Sequence, residues 1–384
     1  MEITQAQKYE ILEHELLNGA GLEEILKKCL EILMKSEREI HNENYLDYSN
    51  GYRYRKIYGS GKLLELQVPR TRNGNFYPMI LALLKDQQEE AQRVAYSLYR
   101  KGLTTQDVGE VFEELYGKKY STSQVSRMFD YARKEAEEWL ARPLENYYPI
   151  LYIDALYAST RRGDSCSKEA YFSVLAVKSD KTREVLGIYN NPHESASFWD
   201  EILQNLRNRG VHKVGLVVSD ALNGVENAVW RAFPKAEVQL CAIHFQRNLS
   251  KSVRTKDRSA FCQDLKTVFQ SDPTDSVRDG LRKFSEFCGK WKNKYPWLSS
   301  KLQNERLALH FTYLKYNYNI RSMIYTTNWI ERLNKTFKKS LKVRGALPNV
   351  EAGLVLLYGV ATEMSCYNYP ITAFVHEQQH FRWD

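Results

Sequence analysis

Ile150-Leu-Tyr-Ile-Asp-Ala-Leu-Tyr157 is the stretch on which the fold turns. It is β-rich and apolar apart from Asp154, which stands where an apolar residue is expected. Two further β-rich runs follow, Ala170 to Val177 and Glu184 to Tyr189, separated by polar turns, and together the three predict an antiparallel meander. Downstream, the pattern predicts a helix from Ser195 to Arg209, a short apolar strand from Val214 to Val218, a helix from Val225 to Phe233 and a strand from Glu237 to Leu240.

Three strands followed by helix, strand, helix and strand is the order of a ribonuclease-H-like mixed sheet, so the fold class is α/β. A charge inside the first strand is costly unless it is hydrogen-bonded, paired or bound to metal, and Asp154 needs one of these. Asp220 ends the fourth strand at the carboxyl edge, where α/β sheets place functional groups, although it also suits a helix N-cap. In such a sheet the first strand is central with the fourth beside it, so the two acids meet at one edge. A third acid lies in Ile324-Tyr-Thr-Thr-Asn-Trp-Ile-Glu-Arg-Leu-Asn-Lys-Thr-Phe-Lys-Lys-Ser-Leu-Lys342. There Ile330, Leu333, Phe337 and Leu341 form an apolar helical stripe, and Glu331, Lys335, Lys338 and Lys342 fall on a neighbouring face. Asn328 and Glu331 have the spacing of a capping box, so capping and metal ligation both fit the glutamate. Three carboxylates suit two hard divalent cations, Mg2+ or Mn2+ in its place, that activate a water or a DNA 3′-hydroxyl for in-line displacement at phosphorus.

Around this centre the chain reads as a large protein with basic clusters. Its 384 residues are 43% hydrophobic, enough for substantial cores. No apolar run approaches the roughly eighteen residues a membrane span needs, and the polar N-terminus lacks a signal-peptide core. A cytoplasmic protein, associated with the nucleoid through DNA, is expected. Six scattered cysteines without a CxxC pair argue against a disulfide framework or a structural zinc site. The formal charge of +8 points to a polyanionic partner where the bases cluster.

Four regions are expected: 1–50 helical; 51–85 a hairpin with a basic connection; 86–145 DNA-binding; and 146–384 catalytic, with an α-helical insertion at about 242–322. In the first, Ile11, Leu12 and Leu16, then Leu22 to Met34, recur at helical spacing and are free to pack internally or against a second subunit. In the second, two alternating runs flank Gly59-Ser60-Gly61, and Arg70 and Arg72 face either phosphate or solvent. In the third, two short helices, a glycine-containing connection and a helix opening with Ser123, Gln124 and Arg127 resemble a helix-turn-helix. The same residues also fit a plain bundle with Val108, Val111, Phe112, Leu115, Val125 and Met128 as its core. Pro143 and Pro149 predict a linker.

Four ordered motifs carry a family resemblance: Tyr-Ile-Asp154-Ala-Leu-Tyr; Asp220-Ala-Leu-Asn-Gly; Gln239-Leu-Cys241-Ala-Ile-His244-Phe-Gln-Arg-Asn248; and Ile324-Tyr-Thr-Thr-Asn-Trp-Ile-Glu331-Arg-Leu-Asn334. Through them the chain resembles bacterial insertion-sequence transposases of the Mutator-like DDE group. The resemblance implies that Asp154, Asp220 and Glu331 are the catalytic, metal-holding triad, and that Cys241 with His244 is the family's C-x-x-H element. Hydrogen bonding, DNA contact and metal ligation are all open to His244. It further implies binding to the terminal inverted repeats of an insertion sequence and to target DNA, strand cleavage and transfer, and a homodimer. Lys335, Lys338, Lys342 and Arg344, with Arg247, Arg321 and Arg332, are candidate phosphate contacts. A nuclease without strand transfer and a non-catalytic DNA-binding protein are the alternatives. Trp329 departs from the family, which often has a smaller residue there.

Overall fold

In the computed structural model the described residues are 9, 22–59, 62–116, 120–192, 196–222, 224–342 and 344–375. The expected helix around Ile11 to Leu16, the hairpin tip at 60–61 and the connection at 117–119 lie outside them. The chain divides into two compact units, Met1–Asp130 and Tyr131–Asp384.

In the first unit α1 (Leu22–Tyr45) is followed by an antiparallel hairpin of β1 (Ser49–Gly59) and β2 (Lys62–Thr71), then by α2 (Met79–Arg100). Leu64, Leu66 and Val68 alternate along β2 and bury one face against Met34, Leu81 and Leu84, with Leu26 and Leu30 beside them, so the stripe of α1 packs internally. Next come α3 (Thr105–Tyr116) and α4 (Thr122–Met128). Ser121 caps α4 through a reciprocal box with Gln124. Val108, Phe112 and Val125 are fully buried, whereas Leu115, expected in the core, is exposed in the last turn of α3.

α5 (Asp130–Ala141) opens at the boundary, and the second unit is then built on five strands: β3 (Tyr147–Arg162), β4 (Ser165–Val177), β5 (Arg183–Asn191), β6 (Lys213–Ser219) and β7 (Glu237–Leu240). Their order is β5-β4-β3-β6-β7, antiparallel from β5 to β3 and parallel from β3 to β7. The expected linker is instead part of this unit. Arg142 donates to Glu184 and to the Val185 carbonyl, and the Leu144 amide to the Arg209 carbonyl at 2.7 Å. Pro149 lies inside β3, where pairing with β4 begins only at Ile150, so its missing N–H leaves no gap in that ladder.

On one face of the sheet, α6 (Ala196–Asn208) and α7 (Val225–Ala232) bury Trp199, Ile202, Leu206 and Val229 against Leu151, Ile153, Phe172 and Val174. After β7 no strand occurs among the described residues. α8 (Ala242–Lys251), α9 (Thr255–Phe269), α10 (Val277–Trp291), α11 (Leu298–Leu302), two 3-10 turns and α12 (Tyr318–Ile324) form a helical segment with an aromatic core that includes Phe261, Phe284 and Phe311. Gly280 admits the Phe311 ring so closely that a Cβ there would meet its Cδ1 at 2.5 Å. α13 (Asn328–Lys342) and α14 (Val350–Thr362) pack on the sheet, and Gly345 takes a left-handed φ of +68° just past α13, as a helix end requires. A 3-10 turn and α15 (Thr372–Val375) follow. Among the described residues no helix is long and apolar enough to cross a membrane.

Candidate active site

β6 is shorter than its neighbour, and this places the first two acids. Ile153 and Ser219 form the last registered pair between β3 and β6, so Asp154 and Asp220 are the next residues on adjacent parallel strands. Past this point β3 continues to Arg162 with β4 alone. Its free edge is taken by the segment after α13: the Leu347 amide donates to the Ser159 carbonyl at 2.8 Å, and the Arg161 amide to the Leu347 carbonyl at 3.0 Å.

α13 brings the third acid across the edge. Its stripe of Ile330, Leu333 and Phe337 is fully buried, with Leu341 half-buried, and Asn334 lies one turn after Glu331 on the inward side. The Asn334 side-chain amide donates to Asp154 Oδ2 at 2.8 Å, and the Ala155 amide to Oδ1 at 2.8 Å. Burial, then the Asp220 charge and in smaller part that of Glu331, push Asp154 up to about 7 against these two hydrogen bonds. The expected capping box is not how α13 starts. Asn328 is exposed, and its amide is accepted by the Thr326 hydroxyl at 3.2 Å. Glu331 instead pairs with Thr327: its amide donates to the Thr327 carbonyl at 2.9 Å, and its Oε1 lies 2.9 Å from the Thr327 hydroxyl. That hydroxyl is also 3.3 Å from Asp220 Oδ1 and 3.4 Å from Cys241 Sγ, so its one proton has three acceptors around it.

The C-x-x-H element reaches the same edge. β7 pairs with β6, and the Cys241 amide donates to the Ser219 carbonyl at 2.8 Å, which sets Cys241 beside Asp220. One turn into α8, His244 places Nδ1 2.6 Å from Asp220 Oδ1 and Nε2 3.9 Å from Glu331 Oε1. The bond to Asp220, helped by Cys241, raises His244 to about 10, so it is an imidazolium at neutral pH. Burial alone would push the Cys241 thiol up, but hydrogen bonding with His244 and Thr327 outweighs it and leaves the thiol below its ordinary value. His244 is therefore ion-paired with Asp220. The signal for this was in the sequence, since a residue one turn into the helix after β7 lies beside the end of β6.

Two donor sets overlap here. Asp220, Cys241 and His244 offer mixed ligand atoms within 4.8 Å of one another. Asp154, Asp220 and Glu331 offer carboxylate oxygens alone, the choice of a hard divalent cation, although among the described residues their oxygens are not gathered within that distance. Asp154 is driven toward protonation first by burial and then by the Asp220 and Glu331 charges, and a dication would offset both.

The basic candidates divide sharply. Arg332, Lys335, Lys338, Lys342 and Arg247 are exposed in the second unit, and Arg344 is half-buried. Arg332 also lies over the Trp329 ring at 5.3 Å, with Arg183 over it at 4.6 Å, which gives the larger residue at this position its packing. Arg321 does not belong with them. It is buried and donates to the carbonyls of Asp272, Pro273, Asp275, Leu314 and Tyr316, so its role is to clamp the helical segment. In the first unit Arg70, Arg72, Ser123 and Arg127 are exposed, while the Gln124 side chain is engaged in the cap of α4. Gln124 and Arg127 line a cavity of about 330 Å³ with Lys56 and Gln88.

The chain is similar to known proteins over most of its length. Residues 4–369 match the family described as "Transposase, Mutator family". The chain is 30% identical over 380 residues to the transposase for insertion sequence element IS905 of Lactococcus lactis, covering 94% of this chain and 95% of that protein. It is 29% identical over 350 residues to that of IS1201 of Lactobacillus helveticus, covering 88% and 94%. To that of IS256 in transposon Tn4001 of Staphylococcus aureus it is 28% identical over 324 residues, covering 84% and 82%.

Proposed function

Because this chain belongs to the Mutator family of transposases, we propose that it is a DDE-type enzyme that cleaves the ends of an insertion sequence and joins them to new DNA. Asp154, Asp220 and Glu331 are its catalytic residues, and the second unit is a ribonuclease-H-like domain. One observation carries this reading: the shared end of β6 sets Asp154 and Asp220 side by side, and Thr327 ties Asp220 to Glu331. The strand order supports the fold assignment, since the first strand is central, the fourth lies beside it and helices follow the fifth.

The three carboxylates would hold Mg2+, or Mn2+ in its place. Bound there, the metal ions supply Lewis-acid stabilisation of the attacking and leaving oxygens. The protein's own residues hold this ligand set in place. Asn334 fixes one oxygen of Asp154, and His244 and Thr327 orient Asp220 and Glu331. The imidazolium of His244 offsets carboxylate charge, and Lys335, Lys338 and Lys342 on α13 meet phosphates near the site. In the first step a water oxygen attacks phosphorus, the P–O3′ bond breaks, and the departing oxygen becomes a 3′-hydroxyl. In the second, that hydroxyl loses its proton as its oxygen attacks a phosphate of another strand, a new P–O3′ bond forms, and the P–O3′ bond already there breaks to release a 3′-hydroxyl.

The first unit supplies recognition of the terminal inverted repeats through Ser123, Arg127, Arg70 and Arg72, and two ends are paired by a homodimer. Support comes from the exposure of these side chains and from the relatives named for insertion sequences. The test is incubation of purified protein and labelled element ends with Mg2+ or Mn2+. Strand-joined products are expected. Cleavage without joining would identify a nuclease, and binding without cleavage a DNA-binding protein.

A further inference from the structure

Past the acids, the β3–β4 ribbon leaves the sheet and the C-terminal half of α13 runs beside it. The two enclose a cavity of about 340 Å³ walled by Tyr157, Lys168, Lys338 and Lys342, with Leu341 and Leu347 also lining it. That volume is in the range of roughly 300–1,000 Å³ typical of small-ligand sites. Lys168 is the registered partner of Ser159, and Tyr157 is two residues from Ser159, so all three share one face of the ribbon. Tyr157 is 50% exposed there.

The place of this groove fixes what it meets. Tyr157 is three strand residues on from Asp154, a distance of about 10 Å. Lys338 is one turn beyond Asn334, the residue that holds Asp154, or about 6 Å along the helix. Tyr157 alternates onto the opposite face of β3 from Asp154, so a strand whose scissile phosphate lies at the acids reaches the groove along α13, past Lys338, within a few nucleotides. Lysines on both walls, Lys168 on the ribbon and Lys338 and Lys342 on the helix, suit its phosphates, and the half-exposed Tyr157 ring suits a base. A paired base hides its faces in the stack, and only an unpaired base offers one to an aromatic ring.

We propose that the groove of Tyr157, Lys168, Lys338 and Lys342 binds an unpaired nucleotide beside the scissile phosphate, with its base stacked on Tyr157 and its flanking phosphates on the lysines. This rests on the strand-transfer reading above and adds to it a site for a locally opened DNA end.

The test uses full-length protein and element-end duplexes, either fully paired or lacking the opposing nucleotide at one position at a time around the cleavage point. At one position the unpaired DNA is expected to bind roughly tenfold tighter, because its unstacking is already complete. Tyr157→Phe should keep that preference, and Tyr157→Ala should lose it without a change in melting temperature. 5-Iodouracil at that position should cross-link to the Tyr157 peptide, and Lys168→Gln should lower the salt slope of binding by about one. Wild-type protein that cuts paired ends while Tyr157→Ala keeps the preference, or while no position shows one, overturns the groove alone. Wild-type protein that neither binds nor cuts these ends overturns the transposase reading, and the groove with it.

Discussion

Asp154 is charged only at a cost, and removing that cost has two measurable effects. Asp154→Asn is expected to melt at or above the wild-type temperature in metal-free buffer, because a crowded carboxylate is gone while Asn334 keeps a partner. Cleavage should fall by roughly a thousandfold or more. Addition of Mg2+ should stabilise wild type by about 2.7 kcal/mol at a hundredfold excess over its dissociation constant, and Asp154→Asn by much less. An equal shift in both would remove Asp154 from the metal set. His244 and Thr327 act through the acids they touch, so His244→Ala and Thr327→Val should each lower turnover by roughly 10- to 100-fold with unchanged DNA affinity, and Thr327→Ser should restore it. His310 reports on pH instead. Burial holds its imidazole down to about 4, against an ordinary value near 6.5, with the ring stacked on Phe245 at 4.1 Å. The folded protein keeps His310 neutral while the unfolded chain takes up the proton. Its contribution is thus fully present above pH 6.5 and is lost as pH falls toward 4, by up to about 3 kcal/mol. Urea midpoints should fall less steeply over that window in His310→Gln, and parallel curves would contradict a buried neutral ring.

At the scale of elements, periodicity located every strand of the sheet, and the carboxyl end of β6 located Asp220. Local pattern could not reveal partners fixed by distant chain. Arg321 sits in a basic neighbourhood of the sequence, yet its guanidinium closes the segment from Asp272 to Asp275 against the turn at Leu314 and Tyr316. Pro149 looks like punctuation, yet it falls where β3 is paired on one side only. Asn328 and Glu331 have capping spacing, yet threonines one and two residues before Asn328 take over the helix start. Each depends on a contact that spacing alone does not encode. The Arg321 clamp gives a clear prediction: Arg321→Met strands several buried carbonyls and should cost about 3 kcal/mol or more. The melting temperature would fall by roughly 5–10 °C, while the salt slope of DNA binding stays the same. A changed slope with an unchanged melting temperature would return Arg321 to the DNA interface.

For the whole molecule, the three acids and the histidine belong to Tyr131–Asp384, and α3 and α4, with Ser123 and Arg127, to Met1–Asp130. A fragment beginning at Tyr131 is therefore expected to keep the metal-induced rise in melting temperature and to lose discrimination between element ends and unrelated DNA. Retained discrimination would move recognition into the second unit. The joint between β3 and the chain after α13 has its own consequence for the second unit. Leu347 is laced to Ser159 and Arg161 at one end of α13, and Thr327 meets the acids at the other. The helix is thus a strut pinned at both ends, with a tight corner at Gly345 between it and the lower pin. The position of Glu331 is therefore set from both ends of the helix. Lengthening the corner by a single residue would turn or slide the strut and detune the site without touching any of the three acids.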